Sequence, residues 1–208
     1  MRNEAICRIG VFYDGSYFQY AQKYLYHKRD LGWIQFRPLH ELIQEYVRSR
    51  EPTYMTHRIV CAAWFQGLFS SRQGEERHLR NDRNLHHDLM HAGIEIKYLP
   101  MAQNNREKGV DVALAVDALQ VGLNGHMDVA VLVSGDGDLV PLVRALMQRG
   151  VRVVVAYFEY EDERDKAFAN DRLLSCSNYQ LNLLQCETVK QLGTLFRAMF
   201  FKKTGGTQ

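Results

Sequence analysis

Four aspartates stand at positions where their carboxylates can share one site: Asp14, Asp111, Asp136 and Asp138. The first follows an apolar run (8–13), and the last two follow the wholly apolar run 129–133 within Ser134-Gly-Asp-Gly-Asp. Asp111 opens a helical pattern that leads into that second run. Loops after parallel strands meet at one edge of a sheet, where a helix preceding the next strand also begins. We therefore expect the four carboxylates to lie close together.

Crowded carboxylates repel one another unless a cation neutralises them. Mg²⁺ and Mn²⁺ prefer oxygen ligands, and such ions lower the pKa of a bound water in phosphodiester hydrolysis. We expect Gly15, Gly135 and Gly137 to keep side chains away from an approaching phosphate. Singly, each aspartate is open to a structural explanation, since Asp14 could belong to a turn and Asp138 could cap a helix. Jointly, the four favour a metal site.

Other polar residues with suggestive spacing favour structural roles. Asp117 lies six residues after Asp111, about 600° around a helix, so we predict a salt bridge or a helix-packing hydrogen bond for it. His87 and His91 have the i, i+4 spacing of metal ligands, but no HExxH motif accompanies them. We therefore expect them to be exposed helix histidines.

Basic and aromatic residues are candidate contacts for a phosphate or a base. Lys108 precedes the acidic site and Arg106 lies in the same polar stretch, so either could meet a phosphate. A basic string is interrupted by acidic residues, which favours a solvated helix face: Arg72, Arg77, Arg80 and Arg83. Four tyrosines could stack on bases, although core positions are the favoured interpretation: Tyr17, Tyr20, Tyr24 and Tyr26.

Short apolar runs alternate with helical patterns, which favours parallel βαβ units. We predict an α/β fold, a three-layer parallel sheet of about five to six strands with helices on both faces. The predicted strands are 8–13, 58–65, 94–99, 129–133, 151–158 and 179–184. The predicted helices begin at 17 and 189 and span 38–50, 75–91, 110–123, 138–149 and 167–174, with loops at 67–74, 100–109 and 159–166.

The bulk composition is that of a soluble globular protein. The 208 residues include 46% hydrophobic and 24% charged residues, with a formal net charge of +2, so any nucleic-acid binding must rest on local patches. No apolar stretch is long enough for a bilayer and no secretory signal is apparent, which predicts a cytosolic location without membrane contact. The four cysteines form no CxxC pair and are expected to be reduced thiols. We predict one domain over 1–186, with 187–208 as a C-terminal helix and disordered tail.

The acidic segments resemble the NYN domain, a branch of the PIN-like nuclease group. The resemblance lies in Val11-Phe-Tyr-Asp-Gly, Lys108-Gly-Val-Asp and Val131-Leu-Val-Ser-Gly-Asp-Gly-Asp, and spans about 8–184. It implies a PIN-like fold, a metal-dependent ribonuclease and RNA as partner. It also implies metal-binding and catalytic roles for the four aspartates. The candidate substrate-binding residues are Lys108, the supporting Ser134, and Ser16, which could replace the asparagine of a DGxN motif that here ends in Tyr17.

Three functions remain open. The first is a Mg²⁺- or Mn²⁺-dependent endoribonuclease. The second is an RNA- or protein-binding module that keeps the fold without cleaving. The third is a metal-dependent phosphatase, although Asp14-Gly-Ser lacks the second aspartate of an aspartyl-phosphate enzyme, and no phosphate-binding GxxxxGK[ST] loop is present. The apolar stripe of the last helix is expected to pack on its own domain, with a homodimer contact as the alternative.

Overall fold

The computed structural model describes residues 5–68, 76–100, 108–162 and 165–201, and for 76–82 it describes the backbone alone. The strands in these ranges are β1 (Ile6–Asp14), β2 (Trp33–Ile34), β3 (Thr56–Leu68), β4 (Glu95–Pro100), β5 (Val129–Val133), β6 (Arg152–Tyr157), β7 (Tyr160–Glu161), β8 (Lys166–Ala167), β9 (Tyr179–Asn182) and β10 (Phe200–Phe201). The helices are α1 (Gly15–His27), α2 (Phe36–Arg50), α3 (Glu76–His91), α4 (Val110–Leu123), α5 (Val140–Gln148), α6 (Asp171–Cys176) and α7 (Gly193–Ala198). Two 3₁₀ turns span Gly137–Leu139 and Leu184–Glu187.

Six strands form one parallel sheet in the order β4-β3-β1-β5-β6-β9. Strand β1 is therefore central, with β3 on one side and β5 on the other. All five residues of β5 are buried, as expected of a strand covered on both faces. Tyr13 pairs with Val133, so the next residues along, Asp14 at the end of β1 and Ser134 just after β5, lie side by side.

Helices cover both faces of the sheet and divide the apolar core into two clusters. Helices α1, α2 and α7 pack on one face, around Tyr13, Phe18 and Trp64. Helices α4, α5 and α6 pack on the other, around Phe12, Leu132 and Tyr157. Successive side chains of a strand point to opposite faces, so Asp14, two residues after Phe12, projects toward the α4, α5 and α6 face.

The predicted fold class is confirmed, while several element boundaries differ. The predicted helix 138–149 begins only at Val140, after a 3₁₀ turn. The segment 159–166, predicted as a loop, contributes to the β7–β8 hairpin, and the predicted helix 167–174 is α6, which begins at Asp171. The antiparallel pair of β2 with β10 was not predicted, because two-residue strands have too short a pattern to recognise.

The C-terminal part of the described chain packs on the same sheet. The apolar stripe predicted for the last helix is largely buried in the core: Leu192, Phe196, Met199 and Phe200. Only Val189 of that stripe is substantially exposed, so the alternative of a dimer contact has little surface left there. The predicted tail 202–208 and most of the predicted loops 67–74 and 100–109 lie outside the described residues.

Two predictions of composition can be checked in the same ranges. All four cysteines are free thiols, with Cys7 and Cys186 buried. Burial raises the pKa of the Cys186 thiol to about 12, which keeps that thiol protonated and unreactive. Among the described residues, no helix has the length and apolar character needed to cross a membrane.

Candidate active site at the carboxyl edge of the sheet

Asp14 ends β1 and caps the helix that follows. Its backbone is extended, and its Oδ1 accepts a hydrogen bond from the backbone N–H of Tyr17 at 3.1 Å. An aspartate at this position satisfies one of the N–H groups that the first turn of a helix leaves unpaired. The turn considered for Asp14 from the sequence is thus a helix cap, which leaves the other carboxylate oxygen, Oδ2, directed to a different partner.

That partner is Ser134, the residue after β5. Its Oγ donates to Asp14 Oδ2 at 3.1 Å and accepts the backbone N–H of Asp136 at 3.1 Å. One hydroxyl therefore ties the end of β1 to the loop that follows β5. Ser134 is 0% exposed, so it stands behind the carboxylates and supports them, and it offers no surface to a substrate.

The capping roles of Asp136 and Asp138 differ from those predicted. Asp136 Oδ1 accepts the backbone N–H of Asp138 at 2.9 Å and caps the 3₁₀ turn Gly137–Leu139. The expected cap of α5 by Asp138 is wrong, because Leu139 occupies the N-cap and makes no side-chain bond. Because a 3₁₀ turn precedes α5, the capping aspartate is Asp136 and not Asp138. The Asp138 side chain is exposed at the same edge.

Asp111 reaches this edge from the helix side. It is the second residue of α4, in the first turn, where a carboxylate is favoured by the helix dipole. Helix α4 packs against β1 and against the 3₁₀ turn that holds Asp138. Asp111 is half-buried and Lys108, just before the helix, is exposed. Arg106 lies outside the described residues, and Ser16, in the first turn of α1, is exposed.

The space beside the two loop glycines is already filled. A Cβ at Gly135 would lie 2.8 Å from the carbonyl oxygen of Phe168, and a Cβ at Gly137 would lie 2.7 Å from Nδ2 of Asn170. The backbone N–H of Asn170 also donates to Gly135 O at 2.9 Å. The expectation that these glycines make room for a phosphate is corrected: they make room for the segment 168–170.

The donor chemistry of this edge suits a hard divalent cation, since the side chains concerned offer carboxylate oxygens. Across the part of the chain that the structure describes, no group of three or more His, Cys, Asp and Glu side chains is arranged to hold a metal ion. Mg²⁺ commonly keeps several waters and uses one or two carboxylates together with substrate phosphates. The arrangement therefore fits a largely hydrated ion better than a closed cage of four ligands.

The tyrosines of α1 mostly serve the core, as favoured from the sequence. The Tyr17 hydroxyl accepts the backbone N–H of Phe158 at 2.8 Å and lies 3.3 Å from the carbonyl oxygen of the same residue. Burial raises the pKa of Tyr17, so this phenol stays protonated. Tyr24 stacks on Tyr160 with ring centroids 3.6 Å apart. Tyr20 is exposed, and Tyr26 packs against Trp33.

The remaining polar candidates have the structural roles that were favoured. Asp117 Oδ1 lies 2.6 Å from Lys97 Nζ, which confirms the predicted salt bridge and joins α4 to β4. His87 and His91 are exposed, with their Nε2 atoms 3.0 Å apart. Arg83 is exposed. Arg72 lies outside the described residues, as do the side chains of Arg77 and Arg80.

A cleft beside the 3₁₀ turn Gly137–Leu139 was not predicted from the sequence. It has a volume of about 400 Å³ and is lined by Tyr157, Glu159, Phe168, Asn170, Asp171 and Leu174. These residues come from the end of β6, the loop after it, the segment between β8 and α6, and α6 itself. No motif spacing joins them, so only the fold could reveal that they share a surface.

Comparisons with known proteins agree with this architecture. A family model for the NYN domain matches residues 8–179. A solved structure of a protein of unknown function from Vibrio parahaemolyticus is 22% identical, with a TM-score of 0.58, and covers 88% of this chain and 94% of that one. At this identity the likeness shows the fold alone.

A second solved structure, the GH18 chitinase ChiB from Flavobacterium johnsoniae, is 13% identical with a TM-score of 0.27. It covers 85% of this chain and 53% of that one, and the likeness is too weak to carry an argument. A search of curated proteins found no match.

Proposed function

Because the chain belongs to the NYN domain family, we propose that it is a metal-dependent endoribonuclease that hydrolyses RNA at the carboxyl edge of its sheet. The family has a PIN-like nuclease fold, its members are generally nucleases, and such nucleases typically use divalent metals. The proposal adds RNA as the substrate, Mg²⁺ or Mn²⁺ as the cofactor, and Asp14, Asp111, Asp136 and Asp138 as the residues that carry the reaction.

The observation that carries the proposal is the bridge made by Ser134. Its hydroxyl holds the Asp14 carboxylate and the Asp136 backbone together across two neighbouring strands. A buried polar residue between two acidic loops favours a fixed spacing of those loops, which positions reacting groups in advance. A turn or a helix cap on its own has no need of such a bridge.

In the proposed reaction, the four carboxylates would hold the cation at one position at the edge of the sheet. The bound cation supplies charge to offset the phosphate and lowers the pKa of water. Asp14 and Asp136 form the inner part of the site, on either side of Ser134, while Asp111 approaches from α4 and Asp138 from the exposed side of the turn. Lys108 and Ser16, both exposed at the edge, are proposed to contact the RNA backbone.

The test is incubation of the pure protein with labelled single-stranded RNA, structured RNA and DNA in Mn²⁺, Mg²⁺ or EDTA. We expect cleavage of RNA alone, and only with metal. Asp111→Asn and Asp136→Asn remove a negative charge while keeping the size of the side chain, so we expect each to lower the cleavage rate at least about 100-fold with an unchanged fold, because charge stabilisation is usually the largest catalytic contribution.

Asp88→Asn is the matched control. Asp88 is an exposed aspartate near the end of α3, which leads into the start of β4 at the opposite edge of the sheet. Its loss changes the net charge by the same amount and should leave cleavage unaltered. Cleavage by Asp111→Asn and Asp136→Asn at the wild-type rate, with circular dichroism showing intact folds, would overturn the assignment of the site.

A second candidate function, an RNA-binding module without cleavage, is favoured by one observation. The carboxylates of Asp14 and Asp136 each accept a capping hydrogen bond, which gives them structural work independent of any cation. The same experiment separates the two functions. RNA binding that persists in EDTA, with no cleavage in either metal, supports the binding module.

A further inference from the structure

The cleft beside the 3₁₀ turn has features of a binding site that the acidic edge does not explain. Residues 168–170 form its wall and pack directly on Gly135 and Gly137, in the loop that carries Asp136 and Asp138. The cleft therefore adjoins the loop that carries two of the four aspartates of the proposed active site. A volume of about 400 Å³ lies within the usual range for small-ligand sites.

One tyrosine forms part of the wall of this cleft. Tyr157 is 8% exposed as a whole residue and lines the cleft. Burial, and to a lesser extent the Glu159 carboxylate, raise the pKa of Tyr157, so the hydroxyl remains a donor. A phenol hydroxyl in the wall of a cleft can therefore donate to a bound ligand.

Glu159 is held in place from behind. Its Oε2 accepts a hydrogen bond from Nδ2 of Asn182 at 2.7 Å, and Asn182 is 8% exposed. The other face of that amide is also fixed, because Asn182 Oδ1 accepts the backbone N–H of Leu184 at 3.1 Å. This arrangement fixes the orientation of an otherwise exposed carboxylate. A carboxylate oxygen has two lone pairs, so Oε2 can accept a second hydrogen bond beside the one from Asn182, and both oxygens can serve a ligand.

The charges and shapes in the cleft select the class of ligand. Glu159 and Asp171 give the lining two carboxylates, which repel a phosphate. Phe168 is 47% exposed and offers a ring face of the kind on which unpaired bases stack. These carboxylates and this ring suit a neutral, flat ligand that donates hydrogen bonds, and a nucleobase is such a ligand.

We infer that this cleft holds a guanine base of the RNA strand, next to the phosphate positioned at the acidic edge. Guanine presents two adjacent donors, N1–H and N2–H, on its Watson–Crick edge, and a carboxylate can accept both. The other bases present no such adjacent pair of donors. In this arrangement Glu159 accepts N1–H and N2–H, the Tyr157 hydroxyl donates to O6, and Phe168 stacks on the ring.

This inference rests on the proposed ribonuclease function. Its cleavage test requires that function, whereas its binding test is independent of it. The substrates are uridine-rich RNA oligonucleotides with one central guanine, adenine or cytosine, and an all-uridine strand. We expect the wild-type protein to cleave next to guanine at least about tenfold faster than next to the other bases, because discrimination by a bidentate contact has this size.

Glu159→Gln is the decisive variant, since a glutamine keeps the bond to Asn182 and loses one of the two acceptors. We expect it to lower the guanine preference to under about threefold. Glu161→Gln is the matched control, because Glu161 is exposed two residues further on, outside the lining. Phe168→Ala should weaken binding of every strand about tenfold.

The binding arm measures GMP, AMP and UMP by fluorescence or NMR titration in EDTA. If GMP binds more tightly than AMP and UMP, and Glu159→Gln abolishes the difference, the guanine site is supported even when no RNA is cleaved. A failure of the nuclease proposal can therefore be told apart from a failure of the guanine site. RNA cleavage without a preference for guanine would contradict the guanine-binding role of the cleft and would still support the proposed ribonuclease function. Guanine preference or GMP binding that survives in Glu159→Gln also overturns the guanine-binding role.

Discussion

The Ser134 hydroxyl is the residue on which the geometry of the acidic edge depends most. It is fully buried, and it serves as donor to Asp14 and acceptor for Asp136 at the same time. A hydroxyl can fill both roles at once, whereas an alanine fills neither. Removing it would take away the partner of the Asp136 N–H and one hydrogen bond of the Asp14 carboxylate.

We therefore expect Ser134→Ala to lower the free energy of unfolding by about 1–3 kcal/mol, the cost of an unsatisfied buried polar group. RNA cleavage should fall about tenfold or more, because the two acidic loops lose their common anchor. Urea denaturation and initial rates on labelled RNA measure the two effects. Ser175→Ala, which removes an exposed hydroxyl from α6, is the control. Equal stability of Ser134→Ala and wild type would contradict the anchoring role.

The positions of the four aspartates could be predicted at this scale, but their hydrogen bonds could not. Asp14 and Asp136 follow apolar runs, and that pattern is visible in sequence. The 3₁₀ turn before α5 depends on how Leu139 enters the core, which local propensity does not encode. For that reason the cap expected at Asp138 was found at Asp136.

At the scale of elements, the contact between the β5–α5 loop and the segment before α6 sets the shape of the site. The approach is close enough that Gly135 and Gly137 have no space for a side chain. At Gly135 the obstacle is backbone, the Phe168 carbonyl, whereas at Gly137 it is the side chain of Asn170, whose Oδ1 caps α6. The two positions should therefore differ in their tolerance of an added methyl group.

We expect Gly135→Ala to cost about 1–3 kcal/mol of unfolding free energy, the usual range for overpacking, and Gly137→Ala to cost less. The reason is that a backbone carbonyl cannot move aside without shifting the whole segment 168–170. Thermal denaturation of both variants measures the difference. If Gly137→Ala proves the more destabilising of the two, the Phe168 carbonyl is not the limiting contact.

Elements with long, strong patterns were predicted well, and those that depend on distant partners were not. Helix α4 and strand β5 have the predicted bounds, because their apolar residues repeat clearly over their whole length. Strands β2 and β10 exist because the chain near Trp33 meets the chain near Phe201, almost the full length of the protein away. Such a pairing leaves no local signal in either segment.

At the scale of the whole molecule, one buried histidine links stability to pH. His40 on α2 is buried against Tyr13, and its Nε2 has no hydrogen-bond partner within the described ranges. Burial lowers the pKa of His40 to about 4, against about 6.5 in an unfolded chain. The unfolded state therefore takes up a proton first as the pH falls. The stability that the neutral ring provides is complete above pH 6.5 and is lost progressively toward pH 4.

We expect this histidine to contribute about 3 kcal/mol to the loss of unfolding free energy between pH 7 and pH 4. His40→Leu, which keeps the position apolar, should lose correspondingly less stability over that interval. Urea titrations at both pH values give the comparison, with His126→Leu as an exposed-histidine control. An identical pH dependence in His40→Leu and wild type would show that His40 is charged or exposed in the folded protein.

The cap on α1 also gives the molecule a natural spectroscopic reporter. The amide proton of Tyr17 points at a carboxylate proposed to hold a cation, so charge arriving at Asp14 must change the electron density around that proton. Its chemical shift and its rate of exchange with solvent deuterium would then follow metal loading without any added label. The phenol of the same residue accepts a hydrogen bond from the backbone N–H of Phe158, so a second amide proton reports on the position of the Tyr17 side chain.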